Sequence, residues 1–133
     1  MSACLLGLRT RWDGVGGACQ KVLGMARRRR LVPVCPEQLG GLSTPRAPAE
    51  IEGGDGRDVI VGTARVVAGD GRNVTDSYLR GAQEALRLAE LLGASEAVLK
   101  DGSPACGVSY IKRGGKDVPG IGVAAALLAQ KGI

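Results

Sequence analysis

The sequence predicts an α/β protein. A single domain over 1–133 is expected, with a mostly parallel sheet and helices on both faces in a Rossmann-like three-layer arrangement. Long Gly/Pro-rich loops should lie at the carboxyl-terminal rim of the strands. Three observations predict this. Short apolar runs alternate with amphipathic stretches, the pattern of βα units. A chain of 133 residues suits one domain. Glycine supplies 22 residues and proline 6, which implies many tight turns without reaching the composition of disordered chains.

The elements follow in order. Gly14, Gly16 and Gly17 break the chain after Trp12. Residues 18–29 place Val22, Leu23 and Met25 among basic residues, as a short helix would, and Arg27 to Arg30 suit its carboxyl end. Residues 31–35 read as a short strand, which Pro33 confines to an edge or an end. Residues 36–57 hold prolines and glycines with no sustained period, and a loop of this length in a compact domain is read as functional. The β-branched run 58–67 predicts a strand interrupted by Gly62, followed by a Gly-Asp-Gly turn at 69–71. Thr75 is placed to cap a helix over 76–93 whose stripe is Leu79, Ala82, Leu86, Ala89 and Leu92, with Gly93 ending it. Residues 96–100 predict a short strand. Residues 101–122 form a second cysteine-bearing, Gly-rich segment, and 122–131 a final apolar helix. In parallel sheets, sites lie at the carboxyl ends of strands. Cys4, Cys35 and the loop after Lys100 would meet there.

Composition excludes several functions. There is no histidine, which rules out Ser-His-Asp and Cys-His catalysis and any His-bound metal. There is no phenylalanine, and aromatic residues are 2% of the chain, so the core must be aliphatic. No apolar run approaches the ~20 residues of a membrane helix. The apolar start Ala3 to Leu8 is shorter than a signal-peptide core. A cytoplasmic protein with reduced cysteines is expected. The formal charge is +5. The Arg27–Arg30 run reads as a solvated helix end, because no aromatic residues are interleaved for base stacking. No phosphate-binding glycine motif is present.

Four blocks carry a resemblance: Ser2-Ala3-Cys4-Leu5-Leu6-Gly7 with Asp13-Gly14; Val32-Pro33-Val34-Cys35-Pro36-Glu37 with Gly40-Gly41; Pro45-Arg46 through Glu50 to Gly56; and Leu99-Lys100 through Ser103-Pro104-Ala105-Cys106-Gly107. Two weaker blocks join them, Ala64-Arg65-Val66 leading to Val74-Thr75 and Gly81-Ala82, and the ending Pro119-Gly120-Ile121-Gly122-Val123-Ala124-Ala125, and the six in order cover nearly the whole chain. The sequence resembles the domain-of-unknown-function family that includes the iron–sulfur thiouracil desulfurases. The resemblance implies that Cys4, Cys35 and Cys106 hold a [4Fe–4S] cluster, which preparation in air would endanger. The fourth iron would bind the sulfur of a thiolated nucleobase or nucleoside. Glu37 and Ser103 match the family's catalytic pair. The implied partner is a small thiolated pyrimidine. No membrane or nucleic-acid partner is expected, and a homo-oligomer is left open. Two positions depart from the family pattern. Only Met1-Ser2-Ala3 precede Cys4, so the first strand should be stunted or begin upstream, and Ala105 replaces a serine.

The chemistry is coherent in itself. Thiolates are the usual cluster ligands, and three leave one iron open. Such an iron is a Lewis acid that favours sulfur, and a nearby carboxylate can take a proton from water. Plainer readings stand beside these. A lone cysteine is usually a small buried hydrophobe, which is the reading for Cys19. Glu37 could favour a helix start, Ser103 could cap a turn, and Asp13 and Asp55 read as turn residues. Arg46 and Lys100 could bind an anionic substrate group or pair with Glu50. Two competing functions are a non-catalytic metal-binding, cluster-binding or sulfur-carrier module and a small basic RNA-binding domain.

Overall fold

The computed structural model describes residues 1–133. Five α-helices and four short strands follow one another: α1 (Gln20–Ala26), α2 (Pro36–Leu39), β1 (Ala49–Glu52), α3 (Gly56–Val61), β2 (Arg65–Ala68), α4 (Thr75–Leu91), β3 (Tyr110–Arg113), β4 (Lys116–Pro119) and α5 (Val123–Gln130). A 3₁₀ turn at Ala3–Leu6 precedes them. No helix is long and apolar enough to cross a membrane.

The expected Rossmann-like parallel sheet is absent. Two separate two-stranded antiparallel sheets replace it, β1 with β2 and β3 with β4. The extended segments meant for the sheet do approach one another. Ser2 N–H donates to the Val98 carbonyl, Ala3 N–H to Val34, and Val34 N–H to Met1. They form only an isolated parallel bridge between Ser2 and Val34. The physical reason is length. Ser2 leads at once into the 3₁₀ turn, Cys35 into α2, and 96–100 contains no strand, so no ladder can propagate.

The run 58–67 also departs from expectation. Its first half is helical, because Asp55 accepts the Arg57 N–H while Asp58 accepts the Asp55 N–H, a reciprocal cap that starts α3. Gly62, at φ 83°, ends it in the left-handed region. Only the second half becomes β2, with Ala49 opposite Ala68 and Glu52 opposite Arg65. The β3–β4 hairpin, unforeseen within 101–122, turns at Gly114-Gly115, both at positive φ.

Helix α4 begins one residue early. Thr75 lies inside it, and Asn73 Oδ1 accepts the Thr75 N–H. Its far end matches expectation: Gly93 N–H reaches Glu90 O and Ala94 N–H reaches Ala89 O, a Schellman closure. The buried face is Tyr78, Gly81, Ala82 and Ala85 rather than the leucine stripe. Small residues face inward because α2 and α5 pack closely against α4. Leu91 and Leu92 stay exposed. The core is aliphatic, as composition required: Ile51, Val59, Val66, Ile111 and Val123 are its largest fully buried side chains, and Tyr78 is its one aromatic ring.

Candidate active site

Three independent backbone devices bring the cysteines to one place. Cys4 lies in the 3₁₀ turn, and its carbonyl accepts the N–H of both Gly7 and Gly17, which folds the glycine-rich 7–17 loop back over it. Cys35 is the N-terminal flanking residue of α2, with Pro36 opening the helix and Glu37 in its first turn. Helix α2 is seated on α4 by glycines: a Cβ at Gly81 would lie 1.8 Å from the Pro36 carbonyl oxygen, and one at Gly40 1.9 Å from that of Ser77. Cys106 sits in the tight turn Ser103–Gly107. The Ser103 hydroxyl oxygen accepts the N–H of Ala105 and of Cys106, each at 3.1 Å. The otherwise unpaired N–H groups at the start of α5 complete the anchor, Val123 donating to Pro104 O and Ala124 and Ala125 to Ala105 O.

These devices surround a pocket of about 490 Å³ lined by Cys4, Cys35, Cys106, Glu37 and Ser103 together. All five predicted site residues are thus brought together. Cys19 is elsewhere, flanking the start of α1 with its N–H on the Leu5 carbonyl. All four cysteines are free thiols. Burial pushes the Cys106 thiol up to about 12, against a hydrogen bond from the Ser2 hydroxyl. Burial and the neighbouring Cys35 also raise Cys4, with Lys100 and Arg11 opposing. No three Cys, Asp or Glu side chains gather tightly enough to hold one metal ion. Cys4, Cys35 and Cys106 line one cavity, and thiolates are the usual ligands of iron–sulfur clusters.

The remaining residues show what sequence reasoning missed. Arg46 pairs with Glu37, Nε to Oε2 at 2.7 Å, with side chains 5% and 15% exposed. Glu50 is not its partner; that carboxylate accepts the N–H groups of Gly114 and Gly115. Tyr78, 3% exposed, is hydrogen-bonded to Glu37, and burial followed by the Glu37 charge holds its phenol well above the usual range. Buried Ser2 accepts the Lys100 N–H through its hydroxyl. Trp12, 46% exposed, forms part of the pocket wall. No local spacing signals Tyr78 or Ser2. Their roles arise from contacts across the fold. Asp13 is a turn residue, as expected, whereas Asp55 caps α3. The Arg27–Arg30 run is an exposed helix end.

Comparison with known proteins agrees with the geometry. The 2-thiouracil desulfurase family model matches residues 1–133. An uncharacterised protein of Bacillus subtilis (strain 168), YbbK, is 45% identical, over 99% of this chain and 89% of the relative. A solved structure of the [4Fe-4S]-dependent thiouracil desulfidase TudS superposes with a TM-score of 0.84 at 39% identity, covering 99% of this chain and 84% of that one. With the family match running from end to end, this chain belongs to the 2-thiouracil desulfurase family of enzymes.

Proposed function

We propose that the chain, acting as a single domain, is a [4Fe–4S]-dependent desulfurase that removes sulfur from a thiolated nucleobase or nucleoside of the 2-thiouracil kind. The observation that carries the reading is the convergence of Cys4, Cys35, Cys106, Glu37 and Ser103 on one pocket. The three cysteines are the cluster ligands. Cluster binding would supply an iron without a protein thiolate, a Lewis acid with affinity for the substrate sulfur.

The chain's own residues supply the rest. Arg46 and Tyr78 hold the Glu37 side chain in one orientation. Its carboxylate accepts a proton from water as the water oxygen bonds to the thiocarbonyl carbon. The thiocarbonyl π pair moves to sulfur as that bond forms. The remaining carbon–sulfur bond then breaks, and sulfur leaves with its bonding pair as hydrosulfide carrying the proton taken up by Glu37. The second water proton passes to solvent to leave a carbonyl, so no oxidant or reductant is consumed. The Ser103 hydroxyl oxygen already accepts two backbone N–H groups, while its own proton is free to be donated to a substrate heteroatom or to the water. The apolar pocket walls, such as Pro48 and Ala49, limit competing water.

Anaerobic reconstitution with iron and sulfide tests this. Four irons and four sulfides per chain, followed by sulfide release from 2-thiouracil, are expected. A reconstituted cluster with no sulfide release would leave only a cluster-binding module.

A further inference from the structure

We propose that Arg46 is a positioning residue: its guanidinium ties Glu37 and Cys35, at the start of α2, to the Thr10 loop and the Ser43–Thr44 turn and keeps no donor for the substrate. The inference deepens the desulfurase reading above and rests on it. A guanidinium presents five N–H groups. Nε donates to Glu37 Oε2 at 2.7 Å. Nη1 donates to the Ser43 carbonyl at 3.0 Å and to Thr44 Oγ1 at 2.9 Å. Nη2 donates to the Thr10 carbonyl at 3.0 Å and faces Cys35 Sγ at 3.9 Å. Each N–H has an acceptor, and the side chain is 5% exposed.

An anchor for an anionic substrate group would need a free, forked pair of donors aimed into the pocket. Arg46 has none. Its hydrogen bonds instead join three chain segments: the Thr10 loop, the start of α2 with Cys35 and Glu37, and the Ser43–Thr44 turn. As a thiol, Cys35 also donates to the Thr10 carbonyl, at 3.5 Å. As a thiolate ligand it loses that proton, and Arg46 becomes the only donor joining Thr10 and Cys35. Hydrogen bonds to ligand sulfur also set the potential of an iron–sulfur centre. A lysine ammonium carries the charge but cannot reproduce the planar fork.

The test uses 2-thiouracil and anaerobically reconstituted chains matched for iron content: wild type, Arg46→Lys, Arg46→Gln, Glu37→Gln and the Glu37→Gln/Arg46→Gln double variant. Arg46→Lys is expected to lower kcat tenfold or more at unchanged KM and to make the cluster potential more negative. The double variant should be no slower than Glu37→Gln alone, and the two should bind 2-thiouracil with the same Kd. If Arg46→Gln does not fold, Arg46→Lys decides through kcat, KM and the potential. A tenfold rise in KM or Kd with kcat retained would make Arg46 a substrate anchor and overturn the proposal. So would losses that multiply in the double variant. A wild type that binds its cluster yet releases no sulfide removes the desulfurase reading instead, and an unchanged potential in Arg46→Lys then overturns the role of Arg46.

Discussion

Glu37 and Ser103 stand in the same pocket but are embedded differently, and substitution should separate them. In Glu37→Gln an amide oxygen can still accept from Arg46 Nε, so the cluster is expected to be retained while turnover per cluster falls about 10²–10⁴-fold, the usual cost of a lost general base. Ser103→Ala removes the acceptor for two N–H groups of the Cys106 turn, so it should also lower the melting temperature of the cluster-free chain, by the equivalent of about 1–3 kcal/mol. Equal turnover per cluster in both variants and wild type would take both residues out of the chemistry. The thiols divide just as sharply. Cys35→Ser should lose iron, because a hydroxyl is a harder, poorer ligand for iron than a thiolate. Cys19→Ser should keep full iron content, since Cys19 lies away from the pocket. Loss of iron from both would mean a fourth protein ligand and no open iron.

The elements of the site are held in place by close backbone approach, which gives them distinct sensitivities. A methyl group at Gly81 cannot coexist with the Pro36 carbonyl, so α2 must move and carry Cys35 and Glu37 with it. Gly81→Ala is expected to destabilise the chain by about 1–3 kcal/mol or more and to lower cluster retention together with turnover. Gly24 in α1 meets nothing within 4 Å, and Gly24→Ala should stabilise by about 0.5–1 kcal/mol with iron content unchanged. Similar melting temperatures for the two variants would refute the close approach. Asp101 clamps the segment after the Cys106 turn by accepting the N–H of Val108 and Ser109. Burial raises its carboxyl, but hydrogen bonds from Ser109, Val108 and Tyr110 outweigh it and leave the net shift downward. A carboxylate with a lowered folded value stabilises fully above the ordinary aspartate range and loses that contribution as pH falls through the folded value. Cluster-free wild type should therefore lose more stability than Asp101→Asn between pH 5 and pH 3; equal losses would show that the clamp carries no charge dependence. At this scale the sequence is legible where an element is long and self-contained. Helix α4, its Gly93 closure and α5 all follow from local pattern. Legibility fails where a few contacts decide. The Asp55–Asp58 cap turns a β-branched run into helix, and strands one or two residues long cannot build the sheet that alternation implied.

Across the whole molecule, the three proposed ligands come from distant parts of one chain: Cys4 near the start, Cys35 before α2, and Cys106 ahead of α5. That convergence was anticipated twice, from strand ends of a parallel sheet that the fold does not contain and from the family resemblance, and no local spacing joins residues so far apart. The pairing of Arg46 with Glu37 rather than Glu50, and the parts played by Tyr78 and Ser2, stayed hidden for the same reason. The convergence also carries a consequence for stability. The pocket is lined by thiols that burial holds protonated in the case of Cys4 and Cys106, beside an Arg46–Glu37 pair, and the surrounding sheets have only two strands each. A group that binds the folded chain through three deprotonated thiols joins the N-terminal turn, α2 and the α5 anchor, while the unfolded chain presents no such site. By linkage its binding free energy adds directly to folding stability. Thermal unfolding of the reconstituted protein should therefore occur well above that of the cluster-free chain; a hundredfold excess of ligand over its dissociation constant corresponds to about 2.7 kcal/mol. Removing iron with a chelator should return the transition to the cluster-free value. Cys19→Ser should show the same difference as wild type, and Cys106→Ser should show none. Coincident transitions with and without bound iron would mean that the metal is held by fewer than three of these segments, and the three-cysteine site would have to be abandoned.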